Sequence, residues 1–223
     1  LNIKDIWLNF SLDGGRSWAN APVKVNHGTA DAVAPQIACE DNRVFDAWED
    51  ERDGELENHN IYFNYSVNGG TTWLSDDIML DNDQDGRTMS LAPQVAFWNS
   101  KVYVVWFDSV NGAYDIYLAA SDDDGASFYE PVRVDSDKAG EAYSAYPQLL
   151  VSDSGTVYVA WEDSRDELSD IYFSYSSDYG ASFSGDIRLD GGDAAGSSDS
   201  FSPKLAAIGE QVFAVWHDGR HGE

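Results

Sequence analysis

The sequence is poor in basic residues and has no long apolar segment. Its 223 residues include 13 Lys and Arg against 40 Asp and Glu, for a formal net charge of −27. A surface this acidic repels the phosphates of nucleic acids and of anionic lipids, which argues against both as partners. The longest purely apolar run covers residues 102–107 and is too short to cross a bilayer.

Cysteine is almost absent. Cys39 is the only one, so no disulfide can form within the chain and cysteine usage does not indicate a compartment. It lies in the apolar run 37–39, which predicts a small buried core residue. The chain opens at Leu1 rather than Met, which favours a processed or excised form.

Apolar and aromatic residues are plentiful, at 43% and 13% of the chain. These amounts suffice for one buried core and are untypical of disordered chains. The acidic residues then indicate a solubilising surface, typical of an extracellular or salty setting, that also attracts cations such as Ca²⁺. We therefore expect one folded domain, 1–223, that is extracellular or at a cell surface.

One octapeptide occurs four times. Each copy begins with Ser and ends with Trp or Phe, and the copies start 55 residues apart, at 11, 66, 121 and 176. An Ile followed by an aromatic residue precedes each copy, at 6, 61, 116 and 171. Tryptophans at 48, 106, 161 and 216 end apolar runs that open with a proline. Because these three sequence features recur at nearly the same spacing, they indicate four structural repeats.

Each repeat predicts four short strands. In the third repeat these are 147–151, 156–161, 171–176 and 185–189, because β-forming residues are bounded there by Gly, Asp, Asn and Pro. Four strands repeated radially form a β-propeller blade. The predicted fold is all-β: a four-bladed β-propeller of four-stranded antiparallel blades. Blades are expected at about 35–83, 93–135, 147–190, and 203–223 joined to 1–26.

The last of these blades is divided between the two ends of the chain. The spacing from Trp216 across the ends to Ile6 matches the unbroken spacing from Trp48 to Ile61. We expect residues 4–10 to pair with the strand that ends near Trp216. That pairing would close the ring and remove two exposed sheet edges.

The octapeptide resembles the Asp-box, or BNR, repeat of bacterial sialidases and related secreted propellers, and the resemblance covers all four repeats. An Asp or Asn at its third position can accept hydrogen bonds from the backbone of its own turn, and the closing aromatic residue can pack on the blade. The resemblance implies structural hairpins on the face away from the sialidase active site, and by itself no activity. The residues concerned are Asp13, Asn68, Asp123, Asp178, Trp18, Trp73, Phe128 and Phe183.

Candidate binding residues follow three of the repeated tryptophans, on the face opposite the Asp boxes. They are Asp50, Arg52, Asp163, Arg165, Asp218 and Arg220. Three arginines could grip a carboxylate, as the resemblance to sialidases implies. The alternative is that each arginine pairs with acids in its own or a neighbouring loop, as equivalent positions in equivalent repeats favour.

The sialidase pattern is incomplete in this sequence. The amino-terminal Arg-Ile-Pro element is missing, and four repeats are present where sialidases of this type usually have six blades. No Tyr–Glu nucleophile pair stands out, because Glu141, Tyr143 and Tyr146 share one loop but nothing pairs them. That loop is interpreted as an aromatic surface loop.

Asp81, Asp83 and Asp85 match the opening of a Ca²⁺ loop, with oxygen ligands at alternate positions. An EF-hand would need Glu where Ala92 stands, so a plain solvated loop is the alternative. Zinc at His217 and His221 is disfavoured, because their spacing falls in a loop rather than on a helix.

These observations favour a non-catalytic extracellular or surface module for binding or homo-oligomeric self-assembly, as a fibre or tube. Its partner would be a second copy of itself or an extracellular glycan or protein. The alternatives are a sialidase-type glycoside hydrolase and a lectin-like carbohydrate-binding propeller. No catalytic residue is assigned, and calcium is the only cofactor that the sequence favours.

Overall fold

The computed structural model describes residues 3–53, 58–82 and 87–220. All regular secondary structure in these ranges is β, so no helix there could cross a membrane. The strands are β1 (Trp7–Leu8), β2 (Val23–Lys24), β3 (Ala32–Glu40), β4 (Arg43–Asp50), β5 (Asn60–Ser66), β6 (Ile78–Met79), β7 (Ser90–Trp98), β8 (Lys101–Asp108), β9 (Asp115–Ser121), β10 (Val132–Arg133), β11 (Ser144–Val151), β12 (Val157–Asp166), β13 (Leu168–Ser176), β14 (Ile187–Arg188), β15 (Ser200–Ile208) and β16 (Gln211–Asp218).

The strands form three complete antiparallel sheets and two half-sheets. The first sheet is β3–β6, the second β7–β10 and the third β11–β14, each with its strands in chain order. β1 and β2 form the N-terminal half-sheet, and β15 and β16 form the C-terminal half-sheet. The predicted four-strand repeat is therefore present in the three complete sheets. The first strands β3, β7, β11 and β15 contact one another in turn, so the sheets pack in a row.

The fourth strand of each complete sheet is shorter than the sequence predicts. In the third sheet the predicted strand 185–189 reduces to Ile187–Arg188, which pairs with Phe173 and Tyr172. The second and third strands are instead longer than predicted, with β12 running to Asp166 and β13 starting at Leu168. The polar loop between them is thus a tight hairpin in this repeat.

The core lies between neighbouring sheets rather than within one centre. Trp48 packs with Ile6 and Val25 of the N-terminal half-sheet, and Trp106 packs with Phe45 of the first sheet. In each complete sheet the buried tryptophan donates its indole N–H to the Asp two residues later and stacks on a third-strand tyrosine, with ring centroids 6.4 Å apart. These groups are Trp48, Asp50 and Tyr62; Trp106, Asp108 and Tyr117; and Trp161, Asp163 and Tyr172.

The predicted closure of the ring is not present in the part of the chain that the structure describes. β1 pairs with β2 and β16 pairs with β15, and no sheet joins β1 to β16. The N-terminal half-sheet packs on the first sheet and the C-terminal half-sheet on the third, so the halves lie at the two ends of the row. Trp7 and Val215 consequently remain 57% and 66% exposed.

The prediction that Cys39 is a buried core residue is wrong, because its side chain is exposed. Its equivalent in the second sheet is Phe97, four residues after the repeated proline in each case. Phe97 stacks on Phe45 of the preceding sheet, with ring centroids 4.8 Å apart. Cys39 lies in the first sheet, where only a half-sheet precedes it, so its face of β3 is left open.

Candidate functional site

The four octapeptides form hairpin turns in which the Asp or Asn side chain binds its own backbone. Asp178 accepts hydrogen bonds from the Ser182 backbone N–H at 2.9 Å and from the Ser182 and Ser176 hydroxyls at 2.6 and 2.7 Å. These bonds favour the carboxylate and lower the pKa of Asp178 to about 2. Asp13, Asn68 and Asp123 make the same bond to the backbone four residues later. These side chains are therefore occupied by the turn.

The aromatic residues that end the octapeptides differ in burial. Phe128 packs edge-on against Phe63 at 4.9 Å, and Phe183 packs on the core between the second and third sheets. Trp73 packs on the core beneath the N-terminal half-sheet, whereas Trp18 is 59% exposed. Only Trp18 belongs to a half-sheet, so the difference follows from the missing neighbour.

The predicted binding residue Arg52 is held within its own sheet. Its guanidinium contacts Asp50 at 2.8 and 2.5 Å and Asp77 at 2.8 Å, and it lies over the Tyr62 ring at 4.0 Å from the centroid. Burial lowers the pKa of Arg52, but the bonds to both aspartates outweigh it and raise the pKa above its usual value. Its donors are thus directed to buried carboxylates.

Arg165 and Arg220 repeat this arrangement. Arg165 contacts Asp163 at 2.9 and 2.6 Å and Asp186 at 2.7 Å. Arg220 binds Asp218 and donates to the backbone carbonyls of Asp190 and Gly191 at 2.7 and 3.0 Å. Each arginine is engaged locally, and the structure brings the predicted binding residues together as Asp–Arg pairs rather than as one cluster of three arginines.

The second repeat lacks an arginine after Asp108, but Arg133 of β10 contacts three acids there, as its equivalent Arg188 does in the third sheet. Asp115, Asp135 and Asp137 lie close enough together to share a metal ion. The Arg133 guanidinium lies among them, 3.0 Å from Asp115 and in contact with both other carboxylates. Burial, with a hydrogen bond shared with Asp137, raises the pKa of Asp135. A partly buried arginine among them therefore already supplies a positive charge to these acids.

The calcium prediction falls largely outside the described residues. Asp83 and Asp85 lie outside them, and Asp81 accepts a hydrogen bond from the Ile61 backbone N–H at 2.8 Å. Asp135 and Asp190 accept the same bond from Ile116 and Ile171. Asp81 thus has a shared structural role, and calcium stays a prediction.

A shallow cavity of about 260 Å³ lies between the first strands of the second, third and C-terminal sheets. Tyr146, Glu162 and Lys204 line it, and Glu162 accepts a hydrogen bond from the Ser202 backbone N–H at 2.7 Å. Burial raises the pKa of Glu162. The prediction that Tyr146 lies in a loop is wrong, because it belongs to β11; it packs edge-on against Phe107 at 5.3 Å and remains exposed.

A larger cavity, of about 590 Å³, lies between the second and third sheets on the side of the Asp boxes. We call it the groove. Leu118, Ala120 and Val132 form an apolar floor, and Tyr129 and Tyr179 stand at its sides. Both tyrosines are substantially exposed. Its volume is in the range of small-ligand pockets.

The groove exists because one sheet carries small residues where its neighbours carry large ones. At intervals of 55 residues, Leu118 takes the place of Phe63 and Ala120 the place of Tyr65. In the first sheet Phe63 and Tyr65 lie against each other, with ring centroids 6.3 Å apart, and fill the space toward the next Asp box. The third sheet has Phe173 and Tyr175 at these positions. Ala120 therefore leaves open the volume of a phenol ring.

The rim of the groove carries both hydrogen-bond donors and acceptors. The Lys101 ammonium lies 4.7 Å from the centre of the Tyr179 ring, which also stacks on Trp98. The Tyr129 hydroxyl donates to Asp122 at 2.8 Å, and this bond raises the pKa of Tyr129. An apolar floor with aromatic sides and a mixed polar rim suits a ring that has one apolar face and hydroxyls at its edge.

No known protein family matches the chain by sequence, and no curated protein matches it either. Solved structures match its fold. An alpha-L-arabinanase of Penicillium chrysogenum, complexed with arabinobiose, has a TM-score of 0.63 at 14% identity, covering 99% of this chain and 69% of its own. A Hadza microbial sialidase has a TM-score of 0.58 at 15% identity, covering 80% and 40%. A Trypanosoma rangeli sialidase has a TM-score of 0.57 at 14% identity, covering 96% and 37%.

These similarities show a sialidase-like β-propeller fold and no more, because the identities are low. A protein of unknown function from Dyadobacter fermentans, with a TM-score of 0.60, is matched over 58% of its chain. The chain thus spans about 60% or less of the length of most of these structures.

Proposed function

We propose that this protein is a non-catalytic surface or extracellular propeller module that binds a neutral sugar in the groove. The replacement of an aromatic residue by Ala120 carries the proposal. The repeated turns serve the fold in the same way in each repeat, whereas at the groove the second sheet departs from the first and third sheets. The apolar volume that this departure opens between two sheets is a space that a ligand can fill.

The chemistry of the groove indicates the class of ligand. Pyranose and furanose rings present C–H groups that pack on tyrosine rings, and hydroxyls that both donate and accept hydrogen bonds. The floor of Leu118 and Ala120 and the sides of Tyr129 and Tyr179 match the first property. Lys101, Asp122 and Glu130 at the rim match the second. The net charge of −27 disfavours an anionic sugar.

The fold neighbours support this ligand class indirectly. Several are named as sialidases or as an arabinanase, and one is named as a complex with arabinobiose. The arginines that could bind a sialic acid carboxylate are each paired with an aspartate here, and the aspartates that bind Arg52 and Arg165 are buried. An uncharged sugar is therefore the better candidate for this chain.

The repeats themselves supply the test variant. Ala120→Tyr places in the groove the residue found at positions 65 and 175, so the sheet tolerates it in two sister positions. We expect a panel of neutral disaccharides, arabinobiose included, to give binding in tryptophan fluorescence or calorimetry that Ala120→Tyr weakens at least about tenfold. Tyr146→Ala, in the smaller cavity, is the matched control and should leave binding unchanged. Unaltered affinity of Ala120→Tyr would place binding elsewhere, and preference for a sialylated sugar would contradict the proposed ligand class.

One observation favours the second candidate, a glycoside hydrolase. Glu162 has a raised pKa and lines a cavity together with Tyr146 and Lys204, as a general acid beside a substrate would. Its hydrogen bond from Ser202 gives it a structural role, and the equivalent Glu49 makes the same bond to Ala92. Hydrolysis products in the binding titration that disappear in Glu162→Gln would favour the enzyme over the binding module.

A further inference from the structure

The floor of the groove is formed by apolar side chains, those of Leu118, Ala120 and Val132. The backbone beneath them is engaged in the sheet. Leu118 is flanked by Val105 and Val132, and the Ala120 carbonyl accepts the Tyr129 backbone N–H at 2.9 Å. A sugar hydroxyl pressed against this floor would lose its hydrogen bonds to water and gain none in return. The part of a ligand that reaches the floor is therefore apolar.

Two polar residues that also line the groove are held by the Asp boxes. The Ser121 hydroxyl donates to Asp123 at 2.8 Å, and Asp178 is bound within its own turn. The polar side chains that can serve a ligand therefore lie at the rim, at Lys101 and Glu130. The groove is thus divided into an apolar floor and a polar rim, which indicates a ligand with an apolar part and a polar part.

The sister sheets indicate the shape of the space above the floor. In the first sheet the position of Ala120 is held by Tyr65, whose ring centroid lies 6.3 Å from that of Phe63 and 6.5 Å from that of Phe45. In the third sheet it is held by Tyr175. The space that Ala120 leaves is therefore that of a planar six-membered ring, and an aromatic ring of a ligand matches it.

The sides of this space are aromatic as well. Tyr179 stacks on Trp98, with ring centroids 6.0 Å apart, and this contact fixes the plane of its ring. Tyr129 is held at its hydroxyl by Asp122. The two tyrosines remain 47% and 62% exposed. Aromatic rings prefer stacked or edge-to-face contact, which both tyrosines offer to a ring that lies on the floor.

We propose that the ligand of the groove is an aryl glycoside, a neutral sugar that carries one aromatic ring. The aromatic ring lies on Leu118 and Ala120, in the space of the missing phenol, and the sugar hydroxyls reach Lys101 and Glu130 at the rim. This inference rests on the proposed function and narrows its ligand class. The groove, of about 590 Å³, has room for both parts. The aromatic ring needs no hydrogen bond from the floor, and the sugar keeps its hydrogen bonds with the rim and with water.

Matched glycosides separate the contributions of the two parts. The probes are the phenyl and the methyl β-glycosides of glucose, galactose and xylose, titrated into the protein by calorimetry. Burial of a phenyl ring contributes about as much as burial of a phenylalanine side chain, so the phenyl glycoside should bind about tenfold more tightly than the methyl glycoside of the same sugar. Its heat-capacity change on binding should also be more negative, because more apolar surface is buried.

Variants taken from the sister sheets locate the aromatic ring. Ala120→Tyr restores the phenol of positions 65 and 175, and the phenyl glycoside should then bind no more tightly than the methyl glycoside. Leu118→Phe places the residue of positions 63 and 173 on the floor and should lower the preference as well, so the test does not depend on the folding of one variant. Tyr175→Ala removes the same ring from the third sheet, away from the groove lining, and is the matched control that should keep the full preference.

Four results would overturn the proposal. Equal binding of the phenyl and methyl glycosides would leave sugar binding in place and exclude the aromatic ring. A phenyl preference that Ala120→Tyr and Leu118→Phe leave intact would place the ring outside the groove. Binding of N-acetyltyrosinamide as tight as that of the phenyl glycoside would mean that the groove takes an aromatic side chain of a protein. Absence of binding by both glycosides would also contradict the proposal, and absence of binding by the neutral disaccharides as well would contradict the proposed function itself.

Discussion

Asp46 is a buried acid at a position where sister sheets carry valine, and it makes a stability prediction possible. It lies on β4 with 4% exposure, and its equivalents Val104 and Val159 are fully buried. Burial raises the pKa of Asp46 to about 7, against backbone hydrogen bonds from Gln36 and Ala47 that lower it. The folded protein therefore binds a proton at mildly acidic pH that the unfolded chain releases.

The sign and size of the effect follow from this shift. Below the usual aspartate pKa, near 4, Asp46 is protonated in both the folded and the unfolded state. Its ionisation then does not change the free energy of unfolding. As the pH rises to about 7 the unfolded state loses its proton first, so the free energy of unfolding falls, and above about 7 the penalty is constant. A shift of about three units corresponds to about 4 kcal/mol as an upper bound, and relaxation around the carboxylate should reduce it to about 2–3 kcal/mol.

Urea unfolding of Asp46→Asn and Asp46→Val at several pH values measures this. Both variants should exceed the native chain in stability by about 2–3 kcal/mol near pH 8 and lose that advantage near pH 4. Asp153→Asn, at an exposed turn, is the control and should track the native chain throughout. A constant difference across the pH range would mean that packing rather than ionisation separates the variants. Loss of stability on replacing Asp46 would refute the reasoning altogether.

Three further predictions concern the acidic loops, the arginine pairs and catalysis. If Asp81, Asp83 and Asp85 bind Ca²⁺, chelation should lower the melting temperature and Asp83→Ala should abolish that sensitivity, whereas identical melting with and without chelator would leave a solvated loop. Arg165→Ala should lower the free energy of unfolding by about 3 kcal/mol because it leaves Asp163 buried and unpaired, with partial recovery in Arg165→Lys. The native chain should not cleave a fluorogenic sialoside, and cleavage that Arg165→Ala abolishes would show that this arginine binds substrate instead.

The strands of the complete sheets can be predicted from the sequence because several sequence features recur at the same spacing. The proline, the tryptophan, the Ile–aromatic pair and the octapeptide each locate one part of a sheet, so errors in one are corrected by the others. Strand ends are less well determined. β14 is two residues long although the apolar pattern extends further, since the edge strand has a neighbour on one side only.

The relation between the two ends could not be predicted in the same way. The spacing from Trp216 to Ile6 predicts that the two half-sheets pair with each other. That spacing says nothing of the buried contacts of Ile6 and Val25 with Trp48, which hold the N-terminal half-sheet against the first sheet. The prediction that Cys39 is buried was wrong for a related reason. An apolar run indicates that one face of a strand is apolar, but it does not indicate whether a neighbouring sheet covers that face.

The groove is not predicted by the repeated residues, because it arises where one sheet departs from the repeat. The signal was available: at intervals of 55 residues, positions 65, 120 and 175 read Tyr, Ala and Tyr. An alanine in a strand predicts nothing by itself. It becomes informative only when the strand is known to pack its side chain against the turn of the next sheet, as Gly125 lies against Phe63 and Gly180 against Leu118.

The arginines show that a resemblance in sequence does not by itself predict the role of a residue. For Arg165 to bind a substrate carboxylate, it would have to release Asp163 and Asp186, whose side chains are almost fully buried. Each would then lose its charge partner in a low-dielectric setting, at a cost of several kcal/mol that one new ion pair at the surface does not return. The Tyr172 ring beneath the guanidinium further fixes its plane, 4.0 Å away. The same residue types that grip a ligand in one propeller can therefore hold a loop in another, and the acids beside the arginine distinguish the two cases.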